Sequence, residues 1–289
     1  MLGLAEAGKR RLAYGFWRYG ENDVEAATAM LSLARESGID HLDTADVYGG
    51  HGGFGGAERL LGTLRQRAPS LFSGAFVATK AGCEPGTPYN SSGAYLKAAC
   101  DGSLSRLNAE RIDLFYIHRP DLLTHPQELA ETLDGLVAAG KIASVAVSNF
   151  TVDQISALSH YLRAPLVAHQ IEFSAAHIVP LFDGTLDQAM ERNIAVAAWS
   201  PMAGGRLGEG GPVAFARVRD ALAKIGAEHG ASPAAVAIAF LQMHPAPVTP
   251  ILGTRTPERL REAVEAGRLS LSRAEWYAIL VAARGEEMP

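Results

Sequence analysis

Short apolar runs alternate with longer segments of helical periodicity along this chain, and three consecutive runs end on a charged or polar residue. These residues are Asp43, Lys80 and His118, and 37 and then 38 positions separate them. A strand, a helix and their connections need about 36 residues, and eight such units fill a chain of 289 residues. The spacing therefore favours a parallel sheet of βαβ units, with the three side chains at the carboxyl ends of neighbouring strands.

Eight apolar or β-branched runs have the length of buried strands. We predict strands over residues 12–16, 39–44, 75–80, 112–118, 144–148, 166–171, 194–198 and 248–252. Capping signals mark the helices between them, because Ser, Thr, Asp and Asn favour helix starts and glycine favours helix ends. The predicted starts are Asn22-Asp23, Ser232-Pro233, Thr256-Pro257 and Ser272 with Glu275, and the predicted ends are Gly38, Gly140 and Gly267.

This pattern predicts an α/β fold, a (β/α)8 TIM barrel in which residues 1–289 form a single domain. The alternative is an open, doubly wound sheet. The phosphate loop G-x-G-x-x-G that many such sheets carry is missing after the first predicted strand, although sheets without it exist.

The composition limits the partners of this chain. With 26 Lys and Arg against 31 Asp and Glu, the net charge is −5, so there is no overall basic field to attract nucleic acid or an anionic membrane. The longest uncharged apolar run, residues 234–241, is far shorter than the roughly 18 residues of a membrane helix. Cys83 and Cys100 form no CxxC motif, and we predict no metal site. We expect a cytoplasmic protein with a small-molecule partner, as a monomer or a weak homo-oligomer.

Tyr48 follows Asp43 by five positions, and with the three strand-end residues it forms a set whose chemistry can be derived. A phenol with a pKa of about 10 is a weak proton donor at neutral pH, and a neighbouring ammonium stabilises its phenolate. Lys80 can supply that charge, and Asp43 can keep Lys80 protonated. The His118 imidazole can hold a carbonyl oxygen beside the Tyr48 hydroxyl, which then protonates this oxygen as negative charge develops on it.

Each of the four residues also has a purely structural interpretation. Asp43 can cap a helix or bond a loop amide, His118 can be a hydrogen-bonded core histidine, and Tyr48 can be a packing residue. Lys80 is the hardest to explain in this way, because a buried ammonium is rarely left unpaired. Taken together, the four residues favour a functional site.

Several motifs resemble those of the aldo-keto reductase family, in particular its bacterial YdhF-like branch. They follow the family's order from about Leu12 onward and are DTADVY, ATK, IHRPD, VSNF, HQIE, DGTLDQ and WSPMAGGRL. The resemblance implies a (β/α)8 barrel that binds NADPH and transfers a hydride from the nicotinamide to a carbonyl. It also implies that Tyr48 is the proton donor, that Asp43 and Lys80 tune it, and that His118 orients the carbonyl.

The same resemblance assigns cofactor-binding residues and a pocket wall. Ser148, Asn149 and Gln170 match the positions that hold the nicotinamide carboxamide, and Trp199 matches an aromatic position against the nicotinamide ring. The other implied cofactor residues are Ser200, Met202, Gly204, Arg206, Gly253, Thr254, Arg255, Arg259 and Glu262. Trp17 matches a position at the wall of the substrate pocket, where Tyr48 and His118 are also expected.

Structural alternatives stay open for the cofactor residues as well. Ser148 and Asn149 can cap the helix that begins near Thr151, Trp199 can be a core residue, and the arginines can be solvated helix charges. Gly253 replaces a Lys found in many members and Ala263 replaces an Asn, so NADH stays possible beside NADPH.

We therefore expect an NADPH-dependent oxidoreductase that reduces aldehyde or ketone carbonyls to alcohols. One alternative is an NADPH-binding, redox-sensing subunit with little turnover. Another is an aldolase that uses Lys80 to form a Schiff base, which needs an unpaired lysine with a lowered pKa.

Overall fold

The computed structural model describes residues 12–50 and 53–289. In these residues eight parallel strands follow one another in chain order around a closed barrel. The strands are β1 (Ala13–Gly15), β2 (His41–Asp43), β3 (Phe76–Ala81), β4 (Leu114–Ile117), β5 (Val145–Ser148), β6 (Leu166–Glu172), β7 (Ala195–Trp199) and β8 (Val248–Leu252). Each overlaps a predicted strand, and the predicted fold class, a (β/α)8 barrel, is confirmed.

In the described residues, helices lie between consecutive strands and after β8. They are α1 (Val24–Glu36), α2 (Gly56–Arg67), α3 (Gly93–Leu107), α4 (Pro126–Ala138), α5 (Val152–Tyr161), α6 (Thr185–Arg192), α7 (Ala216–His229), α8 (Pro233–Gln242), α9 (Pro257–Val264) and α10 (Arg273–Arg284). In α1 the buried residues Ala27, Leu31 and Ala34 share one helix face. Burial of this apolar face, more than helix propensity, stabilises the helix.

Three groups of helix boundaries agree with the capping signals. Ser232 accepts a hydrogen bond from the Ala235 N–H at 3.1 Å at the start of α8. Ser272 and Glu275 form the predicted capping box of α10. Gly38 and Gly140, with φ of 79° and 70°, follow α1 and α4 in the left-handed conformation that favours glycine.

Three capping details are wrong. Asp23 precedes α1, but its Oδ2 accepts from the Gly20 N–H at 2.8 Å instead of from the helix. Thr256 precedes α9 without a side-chain cap, and Thr254 Oγ1 accepts the Thr256 N–H at 3.1 Å. Gly267 does not end a helix, because it lies inside a 3-10 turn, Glu265–Arg268, that continues from α9.

The strand register explains how three distant residues reach one level of the barrel. Asp43 lies opposite Ala78 on β3, and Lys80 lies opposite Tyr116 on β4. Lys80 therefore lies two positions after Ala78, the partner of Asp43. His118 likewise lies two positions after Tyr116, the partner of Lys80. Because barrel strands are tilted, such a stagger brings Asp43, Lys80 and His118 to a similar height at the carboxyl ends.

The described residues fall into two compact units. Ala13–Gln170 forms one, which holds β1 to β5 and most of β6, and Ile171–Pro289 belongs to the other, which holds β7 and β8. Asp43, Tyr48, Lys80 and His118 all belong to the first unit. The single-domain organisation of residues 1–289 stays a prediction.

Among the described residues, no helix combines the length and apolar character needed to cross a membrane.

Candidate active site

Lys80 and Asp43 form a buried ion pair at the carboxyl ends of β3 and β2. Lys80 Nζ lies 2.7 Å from Asp43 Oδ2, and their side chains are 0% and 5% exposed. Nζ also donates to the Thr44 carbonyl oxygen at 2.8 Å. Burial alone lowers the pKa of Lys80, but Asp43 and Tyr48 outweigh this effect, and the pKa is raised above its usual value. Lys80 therefore stays charged, as expected from the sequence.

Gln170 is the second partner of Asp43. Its Nε2 donates to Asp43 Oδ1 at 2.8 Å, so each carboxylate oxygen of Asp43 accepts one bond from a buried donor. Asp43 does not cap a helix; it holds Lys80 on one side and Gln170 on the other. Gln170, which is expected to contact a cofactor, is thus also bonded to Asp43, which orients Lys80.

Tyr48 lies between Lys80 and His118. Lys80 Nζ is 4.8 Å from the centroid of the Tyr48 ring, and the His118 ring meets the Tyr48 ring edge to face, with centroids 5.6 Å apart. Burial raises the pKa of Tyr48 above its ordinary value, and the charge of Lys80 opposes that increase. The sequence argument anticipated the ammonium effect but not that desolvation of the phenol would exceed it.

His118 is a neutral imidazole. Burial, with the charges of Lys80 and Arg119, lowers the pKa of His118 to about 3. Its Nδ1 is buried and has no hydrogen-bond partner among the residues that the structure describes. The alternative of a hydrogen-bonded core histidine therefore fits poorly. A neutral imidazole carries one N–H donor, which suits it to hold a carbonyl oxygen.

Ser148 and Asn149 lie at the end of β5, beside Gln170. Asn149 Nδ2 donates to Ser148 Oγ at 2.7 Å, and the Asn149 N–H donates to the Gln170 carbonyl oxygen at 2.9 Å. Asn149 has a φ of 59°, a left-handed conformation that costs a non-glycine residue energy and often occurs at functional sites. Thr151, not Ser148 or Asn149, is the N-cap of α5, so the capping alternative for these two residues is wrong.

In the second unit, the segment after β7 carries Trp199 to Arg206. Trp199 is half-buried at the end of β7, and the alternative of a core residue stays open. Ser200 and Gly204 have φ of 50° and 69°, so this backbone is turned tightly. Arg206 Nε donates to the Ala203 carbonyl oxygen at 2.6 Å, and its guanidinium lies 3.9 Å from Glu172, so Arg206 braces its own loop.

The start of α9 holds the remaining candidate cofactor residues. Gly253 and Thr254 follow β8 and are half-buried, Arg255 and Arg259 are exposed, and Glu262 is half-buried. A Cβ at Gly253 would meet no atom within 4 Å, so space does not require glycine there. Both arginines face solvent, and the alternative of solvated charges stays open.

The structure adds residues that the sequence analysis missed. Tyr116 is buried on β4 two positions before His118, with Lys80 Nζ 5.8 Å from its ring centroid. Asp46, between Asp43 and Tyr48, is fully buried beside the site. The alternation of β4 predicts the inward direction of Tyr116, but no local sequence signal identifies Asp46 as buried. Trp17, the predicted pocket-wall residue, is 62% exposed.

Comparisons with known proteins show the family to which this chain belongs. The model of the aldo/keto reductase family matches residues 11–282. A 6-dehydroglucose reductase of Novosphingobium aromaticivorans is 44% identical over 282 residues, which cover 96% of this chain and 93% of that protein. The oxidoreductase YdhF of Escherichia coli is 35% identical over 292 residues, covering 96% and 95%. A solved thermostable aldo-keto reductase, Tm1743 with the inhibitor epalrestat, superposes with a TM-score of 0.82 at 24% identity, covering 96% and 97%.

The barrel and these relatives define an oxidoreductase built on the (β/α)8 fold. More specifically, the chain belongs to the aldo/keto reductase family.

Proposed function

We propose that this enzyme reduces aldehyde and ketone carbonyls to alcohols with NADPH, and that Tyr48 donates the proton. The observation that carries the proposal is the placement of Tyr48 between a charged, buried Lys80 and a neutral His118. This arrangement delivers a proton to an oxygen and stabilises the phenolate that remains. A bound nicotinamide supplies the hydride that the carbonyl carbon needs.

In the proposed reaction, each residue has one task. The His118 N–H donates to the carbonyl oxygen and orients it toward the Tyr48 hydroxyl. Tyr48 passes its proton to that oxygen, and the Lys80 ammonium stabilises the phenolate at Tyr48 Oη. Asp43 keeps Lys80 charged and directed by the 2.7 Å bond. The phenolate is then reprotonated from solvent before the next turnover.

The residues at the ends of β5 and β6 fit a nicotinamide carboxamide. Ser148, Asn149 and Gln170 together offer a hydroxyl and two amides, and a carboxamide both donates and accepts hydrogen bonds. Asn149 is held in a strained left-handed conformation by its bonds to Ser148 and Gln170. In the second unit, Trp199 offers a ring face for stacking, and Ser200, Met202, Gly204 and Arg206 belong to the loop that follows it.

We propose NADPH rather than NADH as the preferred cofactor because of the charges at α9. Arg255 and Arg259 are exposed at the start of this helix, where backbone N–H groups and the helix dipole also favour an anion. The 2′-phosphate that distinguishes NADPH from NADH is such an anion. Gly253, Thr254 and Glu262 complete the proposed group of residues.

We further propose that the substrates include an aldehyde derived from an oxidised sugar. Two relatives support this proposal, since a second 6-dehydroglucose reductase, from Agrobacterium fabrum, is 35% identical over 291 residues. Trp17 presents an exposed aromatic ring after β1, a surface on which the apolar face of a sugar can stack.

Four further expectations stay predictions. They are the cytoplasmic location, the small-molecule partner, the absence of nucleic-acid and membrane partners, and a monomer or weak homo-oligomer.

The deciding experiment follows NADPH oxidation with 6-dehydroglucose and a panel of simple aldehydes and ketones, with NADH in parallel. We expect turnover with NADPH, strongest with the sugar aldehyde. Cofactor binding without consumption by any carbonyl would contradict the reductase and support the redox-sensing alternative. Borohydride trapping of a carbonyl substrate on Lys80 would support the aldolase, but the ion pair of Lys80 with Asp43 opposes a nucleophilic, neutral amine.

A further inference from the structure

Glu58, in the first turn of α2, is a buried carboxylate without a part in the proposed reaction. Its side chain has no exposed surface. Oε1 accepts from Thr79 Oγ1 at 2.6 Å, and Oε2 accepts from Arg106 Nε at 2.7 Å, so donors from β3 and α3 hold both carboxylate oxygens. Apolar residues of similar volume often stabilise such a buried place as well as an ion pair does, so stability alone does not account for Glu58.

The bond from Thr79 joins Glu58 to the strand that carries Lys80. Thr79 immediately precedes Lys80 on β3, and because side chains alternate along a strand, the two point to opposite faces. Lys80 bonds Asp43 on one face, and Thr79 meets Glu58 of α2 on the other. Glu58 therefore fixes the start of α2 against the part of β3 from which Lys80 projects.

The segment that carries Tyr48 is bonded both to β3 and to α2. The Asp46 N–H donates to the Lys80 carbonyl oxygen at 3.0 Å. Two residues further on, the Tyr48 carbonyl oxygen accepts from the Ala57 N–H of α2 at 2.9 Å. Ala57 directly precedes Glu58, whose bond to β3 closes a ring of contacts. The backbone of Tyr48 thus lies in a ring that begins and ends at neighbouring residues of β3.

The Tyr48 segment and the start of α2 approach too closely for side chains between them. A Cβ on Gly56 would lie 2.9 Å from Gly49 Cα, and a Cβ on Gly49 would lie 1.8 Å from the Gly53 carbonyl oxygen. Backbones can come this close only where both residues are glycine. A displacement of the start of α2 is therefore passed directly to Gly49, the residue after Tyr48.

Arg106 balances the charge of Glu58 and covers the same segment. Its side chain is 19% exposed, and its guanidinium lies 5.5 Å from the centroid of the Phe54 ring. A Cβ on Gly55 would lie 2.5 Å from Arg106 Cδ, so this side chain packs directly on the backbone before α2. Separating Arg106 from Glu58 would leave a buried charge without its partner, which is costly. The pair therefore resists a displacement of the helix start.

Building on the proposed function, we propose that Glu58 is a positioning residue for Tyr48. Its two partners on β3 and α3 hold the start of α2, and with it the Tyr48 segment, at a fixed place relative to Lys80. The Tyr48 hydroxyl must reach the carbonyl oxygen while its ring centroid stays 4.8 Å from Lys80 Nζ. A misplacement of about 1 Å can lower a rate about 100-fold. Without the bond between Glu58 and β3, the cofactor still binds but proton transfer slows.

The test replaces Thr79, because this leaves Glu58 and its ion pair with Arg106 in place. Thr79→Val keeps the shape and the strand propensity but removes the donor to Glu58, whereas Thr79→Ser keeps the donor. The matched control is Thr132→Val, which removes a buried hydroxyl that bonds the Glu128 carbonyl oxygen at 2.9 Å within α4.

In carbonyl reduction with NADPH, kcat of Thr79→Val should fall at least about tenfold through misplacement of Tyr48. KM for NADPH and for the carbonyl should stay unchanged, because binding does not depend on the proton donor. Thr79→Ser and Thr132→Val should keep the kcat of the parent enzyme. A retained kcat in Thr79→Val, or an equal loss in Thr79→Ser or Thr132→Val, would overturn the proposal.

Hydrogen exchange in the cofactor-free protein separates this proposal from the proposed function. The Asp46 and Ala57 amides, which tie the Tyr48 segment to β3 and α2, should exchange at least about tenfold faster in Thr79→Val than in the parent. Their exchange in Thr79→Ser and Thr132→Val should match the parent. Unchanged exchange at both amides in Thr79→Val would overturn the role of Glu58 even if carbonyls are reduced. Faster exchange without any carbonyl reduction would support the ring of contacts and refute the reductase alone.

Discussion

Replacing Lys80 by Met tests the buried ion pair more directly than any activity measurement. Methionine has a similar length and no charge, so the substitution leaves Asp43 buried with Gln170 as its remaining side-chain partner and removes the donor to the Thr44 carbonyl oxygen. Breaking a buried pair by removing one partner costs about 3–5 kcal/mol, and the lost bond to Thr44 adds about 1 kcal/mol. We therefore expect the free energy of unfolding to fall by about 4–6 kcal/mol.

The matched control is the double variant Asp43→Asn/Lys80→Met, which removes both charges and keeps an amide that can bond Gln170. Its loss should be only about 1–2 kcal/mol, because no uncompensated charge stays buried. Guanidinium unfolding of the cofactor-free protein at neutral pH, followed by circular dichroism and tryptophan fluorescence, measures the three proteins. Both variants should lose turnover, but only Lys80→Met should lose much stability, so the effect on stability can be distinguished from the effect on activity. If the double variant were as unstable as Lys80→Met, the ion pair would not be the source of the loss.

Further predictions concern single groups. Tyr48→Phe should lower kcat by at least about 100-fold while cofactor binding, measured by fluorescence titration, is retained. Since His118 stays neutral down to a pKa of about 3, kcat/KM should show no fall from this residue between about pH 5 and pH 7, and a fall that His118→Asn abolishes would contradict this. Arg255→Ala/Arg259→Ala should raise KM for NADPH at least tenfold and leave KM for NADH within about twofold, since each arginine-phosphate bond contributes about 1.5–3 kcal/mol. Ser272→Ala should lower stability by about 1 kcal/mol in thermal unfolding through loss of the α10 cap.

The sequence predicted the barrel well because its signals are local and repeated. Each strand is a short apolar run between helices, and the register then brings Asp43, Lys80 and His118 together without any further information. The ion pair between Lys80 and Asp43 was predictable as well, because a lysine at a buried strand end requires a counter-charge.

The sequence could not predict effects that depend on the surroundings of a side chain in three dimensions. The upward shift in the pKa of Tyr48 results from burial by several elements, and the bond between Gln170 and Asp43 joins residues 127 positions apart. The sequence also could not show that the Thr256 side chain makes no cap bond at the start of α9.

The bond between Gln170 and Asp43 limits how this enzyme can be redesigned. One N–H of the Gln170 amide donates to Asp43, so any ligand bound at this amide shares it with Asp43. A substitution at residue 170 that is chosen to change the cofactor would also alter the support of Asp43 and, through Lys80, the acidity of Tyr48. Arg255 and Arg259, the exposed residues that we propose as phosphate-binding, are therefore better positions than residue 170 at which to change the cofactor.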